Sequence, residues 1–327
     1  MNEEDQAQVE GEARFLRAIS YLELILYYAQ PYSAGNTTSN PGVPIMDVAD
    51  RNSTEAKPRN SVEEVYNFIV ADLTAAENLL AEGPDPGKAT KEAAAAILSR
   101  AYLQMGNYAE ARDAADRAIS TGNYNLENNV ADAFNGGSSS EDLFDVPVSS
   151  VDGVNNMNTF YASSTNGGRG DIEVLPAHLA LYSPTDDRLG LFYIDASTGD
   201  TRVGKWANRY GSVKIVRLAE MYLTRAEANF RLGTAVGDTP LNDLNVVHTR
   251  AGLTPLASVT LQQILDERRL ELAHEGQRLH DIKRLQLSIV EGPTTYTYDN
   301  PLIVFPIPQR ERDVNENLSQ NAGYGAQ

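Results

Sequence analysis

Between Thr90 and Ser120 two helical runs are joined by only Gly106 and Asn107, and Leu98, Ala101, Tyr102, Tyr108, Ala111, Ala115 and Ala118 recur at threes and fours within them. That spacing puts small side chains on one face of each helix, so two backbones can approach closely and reverse direction at the glycine. No feature constrains the chain more. A segment of this kind buries its apolar faces only by stacking on further helix pairs.

The pair has tetratricopeptide character, and two weaker copies flank it. One begins at Val213: a helix over Ile215 to Leu232 ends at Gly233, and a second from Pro240 to Thr249 runs into Ala251 and Gly252. The other pairs a helix from Val9 to Tyr28, stopped by Pro31, with a helix from Ser61 to about Leu80. In the first of these Phe15, Leu16, Ile19, Leu22 and Leu26 carry the helical spacing, and in the second Ser61 and Glu64 spell a capping box. The Gly- and Pro-rich stretch Tyr32 to Asn60 between them reads as a long surface loop. The amphipathic pattern is already running at Gln8 without a convincing cap, so upstream residues are expected to precede it.

From Asn123 to Ser212 the pattern changes to short strand-like runs, Asp142 to Val148 and Leu191 to Ile194, among Gly, Ser and Asn clusters. This is an irregular insertion carrying Phe160, Tyr161, Tyr182, Tyr193, Trp206 and Tyr210 as candidate exposed rings. Helix resumes from Thr260 to about Leu287, followed by a loop and a short apolar run Leu302 to Ile307 closed by Pro308. The expectation is one mainly α domain: a helical scaffold over residues 1–122, a ligand-facing insertion over 123–212, and a further scaffold with a C-terminal segment over 213–327.

Charge narrows the function. The 327 residues carry 27 Lys and Arg against 45 Asp and Glu, a formal charge of -18 that repels a phosphate backbone and argues against nucleic acid. The same excess favours a neutral or weakly charged ligand unless a local arginine cluster overrides it. There is no cysteine, hence no disulfide framework and no thiolate nucleophile or ligand. Met1 is followed by Asn2, Glu3, Glu4 and Asp5, unlike a secretory signal, and no later run reaches membrane-spanning length.

Other candidates have plainer readings. Glu267 to Arg284 is dense in charge, but Arg268 and Glu271, Arg278 and Asp281, and Asp281 and Arg284 stand three apart, the spacing of neighbouring ion pairs along one helix. His274 and His280 are six apart and face different ways, and His178 and His248 are isolated, so no histidine cluster for a metal is expected. Gly233 to Gly237 and Gly167 to Gly170 lack a phosphate-loop ending and read as ordinary loops, as does Asn135 to Ser140. Asp171, Glu173, Asp186 and Asp187 are the only calcium candidates, and solvated charges are the commoner reading.

Four segments, EARFLRAISYLELILYYAQPY, VRLAEMYLTRAEANFRLG with LNDLNVVHTRAGL, LDERRLELAHEGQRLHDIKRL, and IVFPIPQRERDVNENLSQNAGY, occur in the order of the SusD/RagB family of nutrient-binding outer-membrane lipoproteins, and the chain resembles that family over nearly its whole length. The resemblance implies tetratricopeptide-like pairs carrying a loop-rich binding face, no catalysis and no cofactor. It also implies oligosaccharide or polysaccharide as ligand and a SusC-like TonB-dependent transporter as partner. Family members carry a signal peptide, a lipidated cysteine and further helices ahead of the ARFLRA-like helix, so membrane anchoring is expected of a parent protein and the chain is expected to be N-terminally shortened.

Sugar capture asks for flat aromatic faces against the apolar side of a pyranose and for planar amide or guanidinium groups on its hydroxyls. The candidates are Tyr32 and Asn36 after the first helix, Tyr161, Asn166, Arg169 and Trp206 in the insertion, and Tyr296 and Tyr298 between Gly292 and Pro301. The plain alternative for each ring is core packing. Two rival functions remain, a peptide-binding tetratricopeptide scaffold and a glycoside hydrolase with two carboxylates across a cleft.

Overall fold

The computed structural model describes residues 2–48 and 56–325; part of the Tyr32 to Asn60 loop therefore lies outside the described residues. α1 (Glu3–Tyr28) starts earlier than its apolar spacing shows, and it is capped: the Asn2 side chain accepts from the Asp5 amide at 2.7 Å. α2 (Val62–Leu79) carries the expected capping box. α3 (Lys91–Met105) and α4 (Tyr108–Ser120) meet at Gly106, whose φ of 75° terminates α3 in the left-handed conformation.

α1 packs on α2, α2 on α3 and α3 on α4. Phe15, Leu22, Val65, Ile69, Leu73 and Ile97 form the fully buried centre. Ala93 to Ala96, Ala101, Ala114, Ala115 and Ala118 are buried with it, which lets the backbones come so close that the Ser99 hydroxyl donates to the Ala111 carbonyl at 2.8 Å.

The insertion holds β1 (Asp142–Val146), α5 (Asn156–Tyr161), α6 (Pro176–Leu179), β2 (Phe192–Ile194) and β3 (Thr201–Val203). β2 and β3 form an antiparallel ladder with Tyr193 opposite Arg202. β1 pairs instead with β4 (Val213–Arg217), Phe144 opposite Val216, with register shifts at Phe144. The expected helix from Ile215 therefore begins later, as α7 (Leu218–Leu232): the alternating β-branched run Val213-Lys214-Ile215-Val216 is claimed by β1 before helix can form. α8 (Pro240–Arg250) packs on α7, and both enclose a second small core of Leu223, Leu244, Val247 and Ile264.

The expected helix from Thr260 to Leu287 is two. α9 (Leu261–Glu271) and α10 (Arg278–Arg284) are separated by a turn in which His274 and Gly276 have φ of 63° and 84°. Beyond them come a hairpin of β5 (Ile289–Glu291) and β6 (Thr294–Tyr296) and a short α11 (Gln309–Val314). The Leu302 to Ile307 run joins no sheet; it is tied to α1 by the Phe305 amide donating to the Tyr27 carbonyl at 2.8 Å.

The break at the turn overturns the reading of neighbouring ion pairs. Of the three expected pairs only Asp281 and Arg284 form along one helix, at 2.7 Å. Arg268 reaches Glu220 of α7 and Asp281, and Glu271 takes Arg217 at 3.0 Å, Arg250 at 2.6 Å and Arg188 at 3.5 Å from three other segments. Arg188 also binds Asp186 and Glu267, while Lys205 and Arg217 share Glu275. Burial alone would raise the Glu271 carboxyl, but Arg250, Arg217 and Arg188 outweigh it and hold it well below the usual carboxylate range. These charges are desolvated and mutually compensated, so removing one partner is costly, about 3–5 kcal/mol. The network is what bolts the loop-rich insertion to α7, α8 and α9.

Candidate functional site

On that frame the insertion is shaped by asparagines. The Asn155 side chain caps α5 by accepting from the Met157 amide at 2.7 Å and donates to the Gly211 carbonyl at 2.8 Å, while its own amide donates to the Arg209 carbonyl. Buried Asn158 donates to the carbonyls of Asn166 at 3.2 Å and Trp206 at 2.9 Å. Asn135, at φ 63°, accepts from the Asn208 amide at 3.0 Å and donates to the Gly204 carbonyl at 2.7 Å. The loop after α5 and the loop after β3 are thereby held side by side. Gly168 belongs to this fit, because a Cβ there would collide with the carbonyl oxygens of Ala162 and Asn158.

Between the loops lies a shallow groove of about 580 Å³ lined by Asn135, Thr165, Asn166, Gly167 and Ala207 to Tyr210. Tyr210 is 42% exposed. The Arg209 guanidinium lies against Gly167, where any Cβ would strike it, and φ there is 86°. Neither the Asn166 side-chain amide, the Arg209 guanidinium nor the Tyr210 hydroxyl makes a hydrogen bond or ion pair with another described residue. The groove thus offers an exposed ring, a planar amide and a planar guanidinium on a braced backbone.

Of the expected site residues, only Asn166 is in this groove. Trp206 is a correction: it is 3% exposed, packs with Val174 and Val203, and donates its indole N–H to the His274 carbonyl at 3.0 Å, so no face is left for a sugar. Arg169 pairs with Asp171 and lies over Phe160, its guanidinium 5.0 Å from the ring centre. Tyr32 packs edge-on to Tyr66 at 5.1 Å, and the Asn36 side chain accepts from Thr38 in its own loop. Tyr296 and Tyr298 are half-buried at and beyond the end of the β5–β6 hairpin and line no described cavity. Tyr182, also a ring candidate, is 7% exposed, and the Tyr193 hydroxyl donates to Ser163. Tyr210 is exposed as expected of a candidate ring, whereas Arg209 beside it carries no sequence signal beyond a planar cation after a Trp-Ala-Asn turn.

Tyr161 lines a different recess, of about 260 Å³, with His178, Arg269, Ala273, His274, Gly276, Arg278 and Leu279. Here the expectation of scattered histidines fails: the rings of His178 and His274 lie 5.1 Å apart because α6 packs against the α9–α10 turn. Among the described residues no group of three or more potential ligands is placed to hold a metal. The calcium candidates are spoken for in part, Asp186 by Arg188 and Asp171 by Arg169. A recess of about 200 Å³ over the helix pairs is lined by Glu77, Glu82, Lys91, Glu92 and Arg117. Its charges are already paired, Arg117 with Glu77 and Lys91 with Glu82, which gives a bound peptide little to grip. Among the described residues no helix is long and apolar enough to cross a membrane.

Comparison with known proteins places the architecture. A sequence model of the SusD family matches residues 193–324, and a second, described as starch-binding associating with outer membrane, matches residues 1–103. The starch-binding protein SusD of Bacteroides thetaiotaomicron is 36% identical over 125 residues, covering 34% of this chain and 21% of its own length. A SusD-like protein of Bacteroides ovatus is 26% identical, over 83% of this chain and 58% of its own. The chain thus spans about a fifth of the first of these curated relatives and under two-thirds of the second. Among solved structures, a sugar-binding protein from Bacteroides vulgatus superposes with a TM-score of 0.89 at 27% identity, over 99% of this chain and 80% of that one. A SusD superfamily protein from Bacteroides thetaiotaomicron gives 0.85 at 26% identity, over 98% and 79%.

Proposed function

This chain belongs to the SusD family, and on that premise we propose that it captures an oligosaccharide at the groove of Asn166, Arg209 and Tyr210 and performs no chemistry on it. The observation that carries the reading is the set of unengaged polar planar groups beside an exposed tyrosine, braced by Asn155, Asn158 and Asn135. A pyranose presents an apolar C–H face to the ring and hydroxyls to the amide and guanidinium, so binding needs geometry rather than a reactive group. The names of two relatives, a starch-binding protein and a sugar-binding protein, support the ligand class. Delivery to a SusC-like TonB-dependent transporter at the outer surface of a cell follows as part of the same proposal.

Affinity electrophoresis and calorimetry against a panel of neutral polysaccharides test it. At least one glycan should bind, Tyr210→Ala and Arg209→Ala should each weaken it by about tenfold, equivalent to ~1.4 kcal/mol, and no reducing ends should appear. Failure of every glycan to bind, unchanged affinity in both variants, or release of reducing ends would overturn the proposal.

A further inference from the structure

We infer that the recess of Tyr161, His178, Arg269, His274 and Arg278 is a second subsite, one that takes an acidic group, a carboxylate or a sulfate ester, carried by a sugar. The inference rests on the reading of the chain as a glycan binder and adds the substrate class: glycans bearing acid groups.

Arg269 and Arg278 are the reason. The buried guanidiniums of Arg100, Arg188, Arg217, Arg268 and Arg284 are each matched by carboxylates. Arg269, near the end of α9, and Arg278, at the start of α10, are half-buried and make no hydrogen bond or ion pair with any described residue. Burial first, then the nearby Arg269, lowers the Arg278 pKa. The nearby acids are committed elsewhere, Asp281 to Arg268 and Arg284, Asp266 to the Gln262 amide, and Glu275 to Arg217 and Lys205. A chain with a formal charge of -18 has therefore placed two cations in one concave site with no ion-pair partner among the described residues, Asp281 and Asp266 acting on Arg278 only at longer range.

The histidines add to this. The turn holds His274 at φ 63°, a left-handed conformation that favours glycine, and its Nε2 is buried without a partner among the described residues. The His178 ring meets it edge-on and shares its own Nε2 with the Tyr182 hydroxyl at 3.3 Å. An anion supplies the partner that the two guanidiniums and the His274 Nε2 lack among the described residues. Two guanidiniums suit the paired oxygens of a carboxylate or sulfate, and Tyr161 and Leu279 give an apolar wall for the attached ring. At about 260 Å³ the recess is below the ~300–1,000 Å³ of clefts that enclose drug-sized ligands, which favours one sugar unit over a chain segment.

The test uses the full chain, titrated separately with sodium glucuronate, sodium sulfate and glucose, followed by calorimetry and by the NMR signals of the four histidines. Glucuronate or sulfate should move the His178 and His274 signals and leave His248 unmoved, glucose should move neither, and whichever anion binds identifies the acid group. In Arg269→Gln, Arg278→Gln and the double variant the anion affinity should fall at least tenfold; since neither arginine pairs with the protein, the melting temperature should be retained, and each single variant stands in if the double does not fold. Neutral-glycan binding should be unaffected. If no anion perturbs either histidine, or the variants bind it as the parent does, the inference fails while neutral-glycan capture can still stand. If anions bind but no glycan of any kind does, the subsite is an anion site alone and its assignment to sugar is wrong.

Discussion

The indole N–H of Trp206 donates to the carbonyl of His274 across 3.0 Å, tying the loop after β3 to the strained turn between α9 and α10. The one tryptophan of the chain is a strut that holds two recesses in place, the groove on one side of its loop and the arginine recess beside its acceptor. Trp206→Phe keeps most of the packing and loses one hydrogen bond, so it should cost about 1 kcal/mol and leave glycan affinity within about twofold. Trp206→Ala opens a cavity and should cost about 3–5 kcal/mol. Chemical denaturation beside affinity electrophoresis checks both; loss of affinity in a stable Trp206→Phe protein would make the indole a ligand contact.

Glu271 answers three arginines from three segments. Glu271→Gln leaves them under-compensated and should destabilise by about 3–5 kcal/mol, measured by urea unfolding. Arg310→Ala, which removes the surface pair with Glu311, should not shift the melting temperature measurably. Equal effects would mean that the buried network contributes no more than surface charge.

Burial, aided by Lys205, pushes the His274 pKa down to about 3 from 6.5, and burial, aided by Lys283, pushes His280 to about 4. The unfolded chain takes up protons on these rings below pH 6.5 while the folded chain does not. Stability is therefore full above about pH 6.5 and falls as pH drops toward 4, each histidine contributing a slope approaching ~1.4 kcal/mol per pH unit. Denaturation at pH 7, 6 and 5 should show the decline, and His274→Gln and His280→Gln should each flatten it; Asp243, which burial pushes up to about 6, opposes the decline, so the comparison of each variant with the parent is the decisive reading. A flat profile in the parent would contradict the buried neutral state of both rings.

Gly168→Ala should lower the melting temperature and weaken glycan binding together, because its Cβ has no space beside the Ala162 and Asn158 carbonyls. Gly136→Ala, with open space around it, should do neither. Thermal melts and affinity electrophoresis on the two variants decide it; a Gly168→Ala protein of parental stability would mean that the two loops are not held as close as Asn158 implies.

The helix pairs were legible in the sequence because helix periodicity is a local property: Phe15, Leu22 and Leu26 are buried where their threes-and-fours spacing puts them, though Leu16 is 51% exposed, and Ser61 with Glu64 caps α2 without help from distant parts of the chain. The elements read too long were those in which a distant partner intervened. Val213 to Arg217 became strand because β1 came alongside, and α9 ended because the His274 and Gly276 turn had to deliver Glu275 to Arg217 and Lys205.

What the sequence alone determined, then, was the helical frame, the α2 cap, the acidic balance and the family resemblance, which depend on residues near one another in the chain or on simple sums of charge. The tertiary structure decided which ring faces water and which arginine has a carboxylate. Trp206 and Tyr210 are four residues apart and look alike as candidates, but only one is enclosed by Val174 and Val203; Arg268 and Arg269 are adjacent, and only Arg268 meets Asp281. Burial and ion pairing are set by contacts between segments far apart in the chain, and those exist only once the backbone has closed around them.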